Sequence, residues 1–407
     1  MNNRACYLRI WESLSAEKAM VFLAGPRQSG KTTLSRIIGA GYANSLYFNW
    51  DIPDHRTQLL KDPTFFTSLP RRDDSKPLII FDEIHKFRDW KNYLKGVYDE
   101  FGGDFQFLVT GSGRLDLYQK GGDSLAGRYL LFHLWPFTLG ELKQSDRSME
   151  DFRANPLRVS LEQQEDCVAI WSRLETLGGF PEPYLRGRTA GYRRWARSYS
   201  RQLIREDIRE LTEIRSVTEM ETLYHLLSSK VGSPLSITGL AQDLRVSYTT
   251  VQNWLAIFER FFLTFSLPTW TERVSRAIQK ERKVYLLDTP RINDPAARFE
   301  NQVAVELWRA LSNWNALGHG DFSLHFVRNK EKQEVDFLIA DGREPFLLVE
   351  AKLADEQPTK ALYNLQRALI VPAVQLVRDG YNYRTFSNTG VPILVAPATA
   401  WIAQLPG

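Results

Sequence analysis

The chain has 407 residues and a formal net charge of +4, with 43% hydrophobic and 25% charged residues. These proportions are usual for a globular protein, and a chain of this length predicts about two to four domains. It contains no apolar run long enough for a membrane span and no signal-peptide core. Two cysteines are too few for a disulfide framework or a zinc site, which favours a cytoplasmic location. The mildly basic charge permits a nucleic-acid partner.

Residues 25–32 fit the pattern G-x-x-x-x-G-K-[ST] without a mismatch. They follow an apolar segment, Met20–Ala24, and precede a predicted helix over 31–38, as a phosphate-binding loop does. The backbone N–H groups of such a loop and the helix N-terminus attract a triphosphate. We therefore expect ATP and Mg²⁺, with Lys31 on the β and γ phosphates and Thr32 on the metal; the alternative is a glycine turn that fits by chance. The predicted nucleotide-binding residues are Gly25, Pro26, Arg27, Gln28, Ser29, Gly30, Lys31, Thr32 and Thr33.

Short apolar runs recur at the spacing of an α/β fold with a parallel sheet, and predict strands at 45–48, 78–83, 105–110 and 128–134. The run at 78–83 ends in Asp82 and Glu83, which is typical of a buried strand that delivers acids to the carboxyl edge of a sheet. Asp82 would hold the water shell of Mg²⁺, and Glu83 would orient or deprotonate the attacking water. The alternative is an acidic pair where a strand exits into solvent. Thr110 and Ser112 are either γ-phosphate sensors or turn residues.

Beyond residue 139 the pattern is helical, and a helix predicted over 192–211 carries an arginine every four residues. The arginines are Arg193, Arg197, Arg201, Arg205 and Arg209. Between residues 186 and 209 there are eight arginines and two acids, so the segment is strongly one-signed. Such a stripe binds a phosphate backbone or an acidic surface of a neighbouring subunit, or it is neutralised by acids from elsewhere in the fold. The first four arginines are candidate nucleic-acid contacts.

A helix-turn-helix is predicted from residues 240–244, a turn at 245–247 and a second helix over 248–258. Two segments, 261–267 and 283–287, would supply the strands of a wing. If this domain reads DNA, the residues that face the groove are Tyr248, Thr249, Gln252 and Asn253. The alternative is a structural lid against the nucleotide.

The C-terminal part carries a second set of acids. Glu350 and Lys352 are two residues apart on a predicted strand, 346–352, and therefore project to the same face. Asp336 lies on the adjoining strand of a hairpin, 334–340, close enough to share a metal ion with Glu350. Carboxylates bind Mg²⁺, and the metal would activate a water and neutralise a scissile phosphate. The alternative is a charged strand end with no metal.

This D…E-x-K arrangement resembles the active site of the restriction-endonuclease-like superfamily. The resemblance implies that Glu300, on a helix predicted over 297–311, is a further metal ligand. Lys352 would stabilise charge or tune the nucleophilic water. It also implies Mg²⁺, or Mn²⁺ in its place, at Glu300, Asp336 and Glu350. Further elements are predicted at 359–370, 371–377 and 391–396.

The chain as a whole resembles a large family of prokaryotic AAA-type ATPases. The motifs that carry this resemblance are Lys31, Asp82-Glu83 and the segments 108–112, 124–128, 135–137 and 178–182. The resemblance implies a helical lid, a winged helix and a restriction-endonuclease-like α/β domain after the ATPase. It also implies that Arg128 approaches the transferred phosphate of its own or a neighbouring subunit in a homo-oligomer. Arg114 is an alternative for that role, and a structural salt bridge is an alternative role for Arg128.

The predicted domains are an ATPase over 1–140, a lid region over 141–230, a winged helix over 231–290 and a nuclease-like domain over 291–407. The predicted function is ATP binding and hydrolysis that acts on DNA and controls a Mg²⁺-dependent nuclease-like domain. The alternative is a nucleotide-operated switch or scaffold whose C-terminal domain binds a partner without cleaving DNA. A membrane is not expected as a partner.

Overall fold

The structure is a computed structural model that describes residues 4–111, 125–208, 216–271, 281–355, 357–388 and 390–407. Ser112, Arg114 and Arg209, which the sequence singled out, lie outside these ranges. The chain forms two compact units, Met1–Trp135 and Pro136–Gly407. The predicted borders at 230 and 290 fall inside the second unit, and the four-domain division stays a prediction. Within the described ranges, every helix is too short or too polar to cross a membrane.

The first unit is built on a five-stranded parallel sheet in the order β2-β3-β4-β1-β5, which confirms the predicted α/β class. Its strands are β1 (Met20–Ala24), β2 (Ser45–Asn49), β3 (Leu78–Asp82), β4 (Gln106–Thr110) and β5 (Leu130–His133). Its helices are α1 (Ala5–Glu17), α2 (Lys31–Ala40), α3 (Pro53–Lys61) and α4 (Trp90–Phe101). All five positions of β1, β3 and β4 are buried, as expected for continuous apolar runs in a sheet covered on both faces.

This strand order brings the two predicted motifs to one edge of the sheet. β4 lies between β1 and β3, and all three strands run in the same direction. Asp82 at the end of β3 pairs in register with Thr110 at the end of β4. The loop after β1 and the acids after β3 therefore meet at the carboxyl edge, where open parallel sheets bind ligands.

The second unit begins with helices and no strand until residue 264 in its described part. These helices are α5 (Leu139–Lys143), α6 (Met149–Ala154), α7 (Gln164–Leu177), α8 (Pro181–Arg186), α9 (Thr189–Gln202) and α10 (Val217–Leu227). The helix predicted over 192–211 is α-helical only to Gln202, and Leu203–Ile208 forms a π-helix. Because a π-helix has more residues per turn, the four-residue spacing of the arginines does not continue unchanged to Arg205.

Two further helices, α11 (Ile237–Leu244) and α12 (Tyr248–Arg260), pack together across a short turn. Ser236 and Ser247 cap them, since each hydroxyl accepts a hydrogen bond from a backbone N–H three residues later. An antiparallel hairpin follows, made of β6 (Thr264–Pro268) and β7 (Arg282–Leu286). The helix pair and the strand pair thus lie where the sequence predicted them.

The remainder of the second unit is a six-stranded mixed sheet in the order β12-β13-β11-β10-β9-β8. Its strands are β8 (Phe322–Arg328), β9 (Glu334–Asp341), β10 (Glu344–Lys352), β11 (Ala373–Val377), β12 (Arg384–Asn388) and β13 (Val391–Pro397). Its helices are α13 (Pro295–Ala316), α14 (Lys360–Leu369) and α15 (Ala398–Ile402). Trp314 and Trp401 are completely buried in its core. β9 and β10 are antiparallel, so Asp336 and Glu350 lie on adjacent strands as predicted.

Candidate functional site

The phosphate-loop sequence forms a tight turn between β1 and α2. Gly25 has φ +141°, and a Cβ at this position would clash with the carbonyl oxygen of Leu134. Any side chain there would force two backbone segments apart. Gly30 has φ +99° and is the N-cap of α2. Both glycines are therefore required by backbone geometry, as a loop that wraps a phosphate demands.

The Lys31 side chain lies over its own loop. Its ammonium donates hydrogen bonds to the carbonyl oxygens of Gly25 and Pro26, at 3.0 and 2.8 Å. Burial lowers the pKa of Lys31 to about 8, an effect that the carboxylates of Glu83 and Asp82 oppose. The cation is thus poorly solvated and held at the mouth of the loop, so a phosphate would be a stronger partner than the two neutral carbonyls.

Asp82 accepts hydrogen bonds from three hydroxyl groups. Thr32 Oγ1 and the Tyr47 hydroxyl donate to Oδ2 at 2.8 and 2.6 Å, and Thr110 Oγ1 donates to Oδ1. The predicted Thr32, Asp82 and Thr110 are therefore brought together. A hydroxyl and a carboxylate in contact are hard oxygen ligands that suit Mg²⁺. Burial, followed by the hydrogen bond to Asp82, raises the pKa of Tyr47 to about 12.

Glu83 follows directly in a left-handed backbone conformation, with φ +59°. This conformation is costly for a residue other than glycine, and such residues cluster at functional sites. Its carboxylate lies 3.2 Å from the Lys86 ammonium, which also contacts Asp51 at 2.6 Å. Burial raises the pKa of Glu83, while Lys86 and Lys31 counteract this effect.

Two residues that contribute to this site, Tyr47 and Arg4, belong to no sequence motif. Tyr47 lies on β2. Its position on a predicted strand does not by itself indicate a contact with Asp82. Arg4 is buried, and its guanidinium donates to the carbonyl oxygens of Ser29 and Trp135, at 2.7 and 2.5 Å. It thereby ties the phosphate loop to the chain after β5. A single arginine near residue 1 gives no sequence signal for a contact with residue 29.

Arg128 forms a bidentate ion pair with Asp99 of α4. Its Nε and Nη2 atoms donate to the two carboxylate oxygens at 2.7 and 3.0 Å. This geometry matches the salt-bridge alternative considered for Arg128. Its approach to a transferred phosphate stays a prediction, and Arg114 lies outside the described residues.

The C-terminal acids surround a lysine that the sequence analysis did not consider. Lys283 on β7 has a side chain that is only 1% exposed, and its ammonium lies 2.7 Å from Glu334, 3.2 Å from Glu300 and 3.7 Å from Asp336. Burial opposes the charged form, but the three carboxylates raise the pKa of Lys283 above its usual value. Tyr285, two residues along the same strand, donates to Glu300 at 2.7 Å.

The other predicted nuclease-like residues lie beside this cluster. Lys352 forms an ion pair with Glu350 at 2.9 Å, and Thr359 Oγ1 also donates to Glu350. Asp336 Oδ2 accepts from the backbone N–H of Ala351 at 2.9 Å. Burial, then the charge of Asp336, raises the pKa of both Glu350 and Glu300, the latter to about 7. The four residues of the predicted motif are therefore close neighbours.

The carboxylates do not fit a divalent ion in this arrangement. An ammonium already occupies the space among Glu300, Glu334 and Asp336. Within the ranges that the structure describes, no group of three or more His, Cys, Asp or Glu side chains is arranged to hold a metal. The metal assignment of Glu300, Asp336 and Glu350 stays a prediction, and we derive no step through such an ion.

The candidate nucleic-acid residues fall into two groups. Arg193, Arg197 and Arg201 are exposed on α9, whereas Arg205 makes a bidentate ion pair with Glu221 at 2.7 and 2.8 Å. Arg205 is therefore partly neutralised, whereas Arg193, Arg197 and Arg201 make no such pair within the described residues. Exposed residues of the second helix, α12, form the other group: Tyr248, Thr249, Gln252 and Asn253.

A cavity of about 510 Å³ separates α12 from the hairpin strand β7. Tyr248 and Gln252 line it together with Glu259 and Glu281. Arg328 forms an ion pair with Glu281 at 3.1 Å. Arg282 also lines the cavity, but with two acids the lining has no excess of positive charge, so it is less suited to a phosphate backbone than the arginine face of α9.

Comparison with protein families supports the reading of the first unit. Residues 17–143 match the family model of an AAA domain, so this part of the chain is an AAA-type P-loop nucleotide-binding domain. Residues 170–290 match a domain of unknown function. The first match contains the phosphate loop and Asp82, and the second contains the segment from α9 to β7.

Known relatives are distant. An uncharacterized protein of Mycobacterium tuberculosis and one of Mycobacterium bovis are each 26% identical over 270 residues, which are 66% of this chain. An uncharacterized protein of Methanocaldococcus jannaschii is 24% identical over 310 residues, covering 67% of this chain and 62% of that protein. The matched region covers 54% of each mycobacterial protein, so the chain spans about half the length of these relatives.

Two solved structures show a remote likeness to this chain. A Walker-type ATPase of Pyrococcus abyssi has a TM-score of 0.39 and 17% identity, over 70% of this chain and 92% of that one. The Orc1 protein of Aeropyrum pernix, solved in complex with DNA, has a TM-score of 0.30 and 15% identity, over 70% of this chain and 86% of that one.

Proposed function

We propose that the chain binds and hydrolyses ATP in its AAA-type unit. The observation that carries the proposal is the hydrogen bond between Thr32 and Asp82, since it joins the phosphate loop to the acidic strand at one sheet edge. Thr32 and Asp82 would hold Mg²⁺, directly or through its water. When bound, Mg²⁺ neutralises charge on the phosphates.

The residues of the loop supply the remaining functions. Lys31 would exchange the carbonyls of Gly25 and Pro26 for phosphate oxygens, and this exchange is favourable because charge-assisted hydrogen bonds are stronger than neutral ones. Glu83 would orient the attacking water and accept its proton. Its raised pKa and its place next to Asp82 suit a general base.

Phosphate release from ATP, measured with and without Mg²⁺, tests the proposal. Lys31→Ala should abolish ATP binding and hydrolysis together. Lys61→Ala, at an exposed lysine on α3, is the matched control and should leave both unchanged. Hydrolysis at the wild-type rate in Lys31→Ala would refute the assignment of the loop.

We further propose that the protein acts on DNA, in agreement with the arginines of α9, and that it assembles as a homo-oligomer in which Arg128 acts in trans. The helix pair and hairpin would form a winged helix, and the sheet after it a restriction-endonuclease-like domain. DNA should then stimulate ATP hydrolysis. A rate indifferent to linear, single-stranded and branched DNA would count against action on DNA.

The second candidate function is a nucleotide-operated switch or scaffold that does not cleave DNA. Lys283 specifically favours it, because a buried ammonium already balances the carboxylates that a nuclease would use for metal. The test is incubation with DNA, ATP and Mg²⁺ or Mn²⁺. Cleavage that depends on Lys352 and Asp336 would support the nuclease, and its absence with intact ATP binding would support the switch.

A further inference from the structure

A second cavity, of about 230 Å³, lies against helices α9 and α10 and the turn Thr289–Arg291. Three guanidinium groups line it, those of Arg193, Arg197 and Arg291, together with His225. None of the described residues that line it is an acid. Asp288 balances the charge of Arg291, so the excess positive charge at the cavity comes from Arg193 and Arg197.

Arg193 and Arg197 have no partner for their charge within the described ranges of the chain. Both side chains are exposed, one turn apart on α9, and neither makes an ion pair or a hydrogen bond there. Arg205 belongs to the same series of arginines, but its charge is neutralised by an ion pair with Glu221. The two arginines at the cavity thus keep their donors available for a ligand.

Arg291 is fixed in place by the fold. Its Nε donates to Asp288 at 2.7 Å, and its guanidinium lies 5.0 Å from the centre of the Tyr224 ring. Tyr192, at another wall, donates to the same Asp288 carboxylate at 3.1 Å. The back of the cavity is therefore rigid before a ligand arrives, which lowers the entropy lost on binding.

Tyr224 adds an independent observation that indicates a ligand. Its side chain lines the cavity and is only 2% exposed, and its hydroxyl group has no hydrogen-bond partner within the described residues. A buried hydroxyl without a partner is costly, and most such groups are satisfied in folded proteins. Because the hydroxyl oxygen itself is buried, an oxygen-rich anion in the cavity would become its acceptor only after a small shift of the Tyr224 ring.

We propose that this cavity binds a phosphate group. Guanidinium donors match phosphate oxygens in geometry and charge, and several together suit a dianion. A volume of about 230 Å³ is below the usual range for a drug-sized ligand, so the site holds one phosphate and little of its carrier. The carrier is the end of a nucleic-acid strand or a free nucleotide. If the carrier is the end of a nucleic-acid strand, the inference deepens the proposed action on DNA and rests on it. If the carrier is a free nucleotide, the inference does not depend on that action.

The test uses the full chain, with binding measured calorimetrically for inorganic phosphate, adenosine monophosphate and a single-stranded oligonucleotide that carries either a 5′-phosphate or a 5′-hydroxyl. Arg197→Gln and Arg193→Gln should each weaken phosphate binding about tenfold. Arg194→Gln is the matched control, because Arg194 is exposed on the same helix but does not line the cavity. Lys31→Ala removes binding at the phosphate loop.

Phosphate binding that survives Lys31→Ala and Arg194→Gln but is weakened about tenfold by Arg197→Gln supports the cavity. A preference for the 5′-phosphorylated strand assigns the source to nucleic-acid ends, and equal binding of adenosine monophosphate assigns it to nucleotides. The latter result leaves the cavity in place while removing support for DNA. Equal loss in Arg194→Gln and Arg197→Gln, or no phosphate bound at about 10 mM, would overturn the inference. ATP hydrolysis by Lys31→Ala is measured in a separate assay. The proposal of ATP hydrolysis and the proposal of phosphate binding in the cavity can therefore be refuted independently.

Discussion

The ammonium group of Lys283 lies 3.2 Å from the carboxylate of Glu300, and the lysine side chain is 1% exposed. These residues come from β7 and α13, and β9 adds Glu334 and Asp336 to the same cluster. A buried charge of this kind is stable only with its partners present. The cluster therefore connects the hairpin to the C-terminal sheet through charge.

Replacing Lys283 by methionine should destabilise the second unit by about 3 to 5 kcal/mol, because it leaves carboxylates buried without their cation. Chemical denaturation followed by tryptophan fluorescence measures this change. Lys360→Met, at an exposed position on α14, is the control and should have a small effect. Equal stabilities of the two variants would mean that the Lys283 contacts contribute nothing to the fold.

Arg4→Ala should lower the free energy of unfolding by about 3 kcal/mol and weaken ATP binding, because the carbonyls of Ser29 and Trp135 lose their buried donor. Thermal unfolding and ATP titration measure the two effects. Arg9→Ala, an exposed arginine on the same helix α1, should change neither. If Arg4→Ala bound ATP as tightly as the wild type, Arg4 would not support the loop.

Glu83→Gln should keep ATP affinity within about threefold but reduce hydrolysis by about 10² to 10⁴, the usual contribution of a general base. Rapid-quench measurement of a single turnover separates the two effects. Glu100→Gln, on α4 and exposed, is the matched control. A Glu83→Gln enzyme with normal turnover would exclude the proposed base.

ATP affinity should depend on pH through Lys31. Because burial lowers its pKa to about 8, the ammonium that binds phosphate is present below pH 8 and is lost as the pH rises above it. The affinity should fall as the pH rises from about 7.5 to 9.5, approaching tenfold per pH unit. Lys31→Arg stays charged over this range, so its pH profile should be flat, whatever its absolute affinity. Parallel profiles for both proteins would assign the titration to another group.

The elements that could be predicted from the sequence are those marked by a short local pattern of residues. The phosphate loop, β3 with its terminal acid and the α11–α12 pair each depend on a short pattern of apolar, glycine or capping residues. β12 was missed because it is an edge strand whose side chains are mainly exposed, so no apolar pattern marks it. The hairpin strand β7 was predicted, but not the role of its lysine.

Contacts between distant residues could not be predicted in this way. Arg4 meets Trp135 across 131 residues, and Tyr47 meets Asp82 across 35. Lys283 on its own resembles any lysine of a strand, and only the tertiary structure places three acids around it. The π-helix at Leu203–Ile208 likewise has no simple pattern, and it interrupts a spacing that looked regular in the sequence.

The attachment of β7 also limits the motions open to the hairpin. Besides Lys283 and Tyr285, the backbone of Leu286 exchanges two hydrogen bonds of 2.8 Å with the Asn301 side chain on α13. A strand tied to α13 at Lys283, Tyr285 and the Leu286 backbone cannot swing independently of that helix. Its amide hydrogens should exchange with solvent slowly, and any adjustment around a bound ligand should come from α12 and β6.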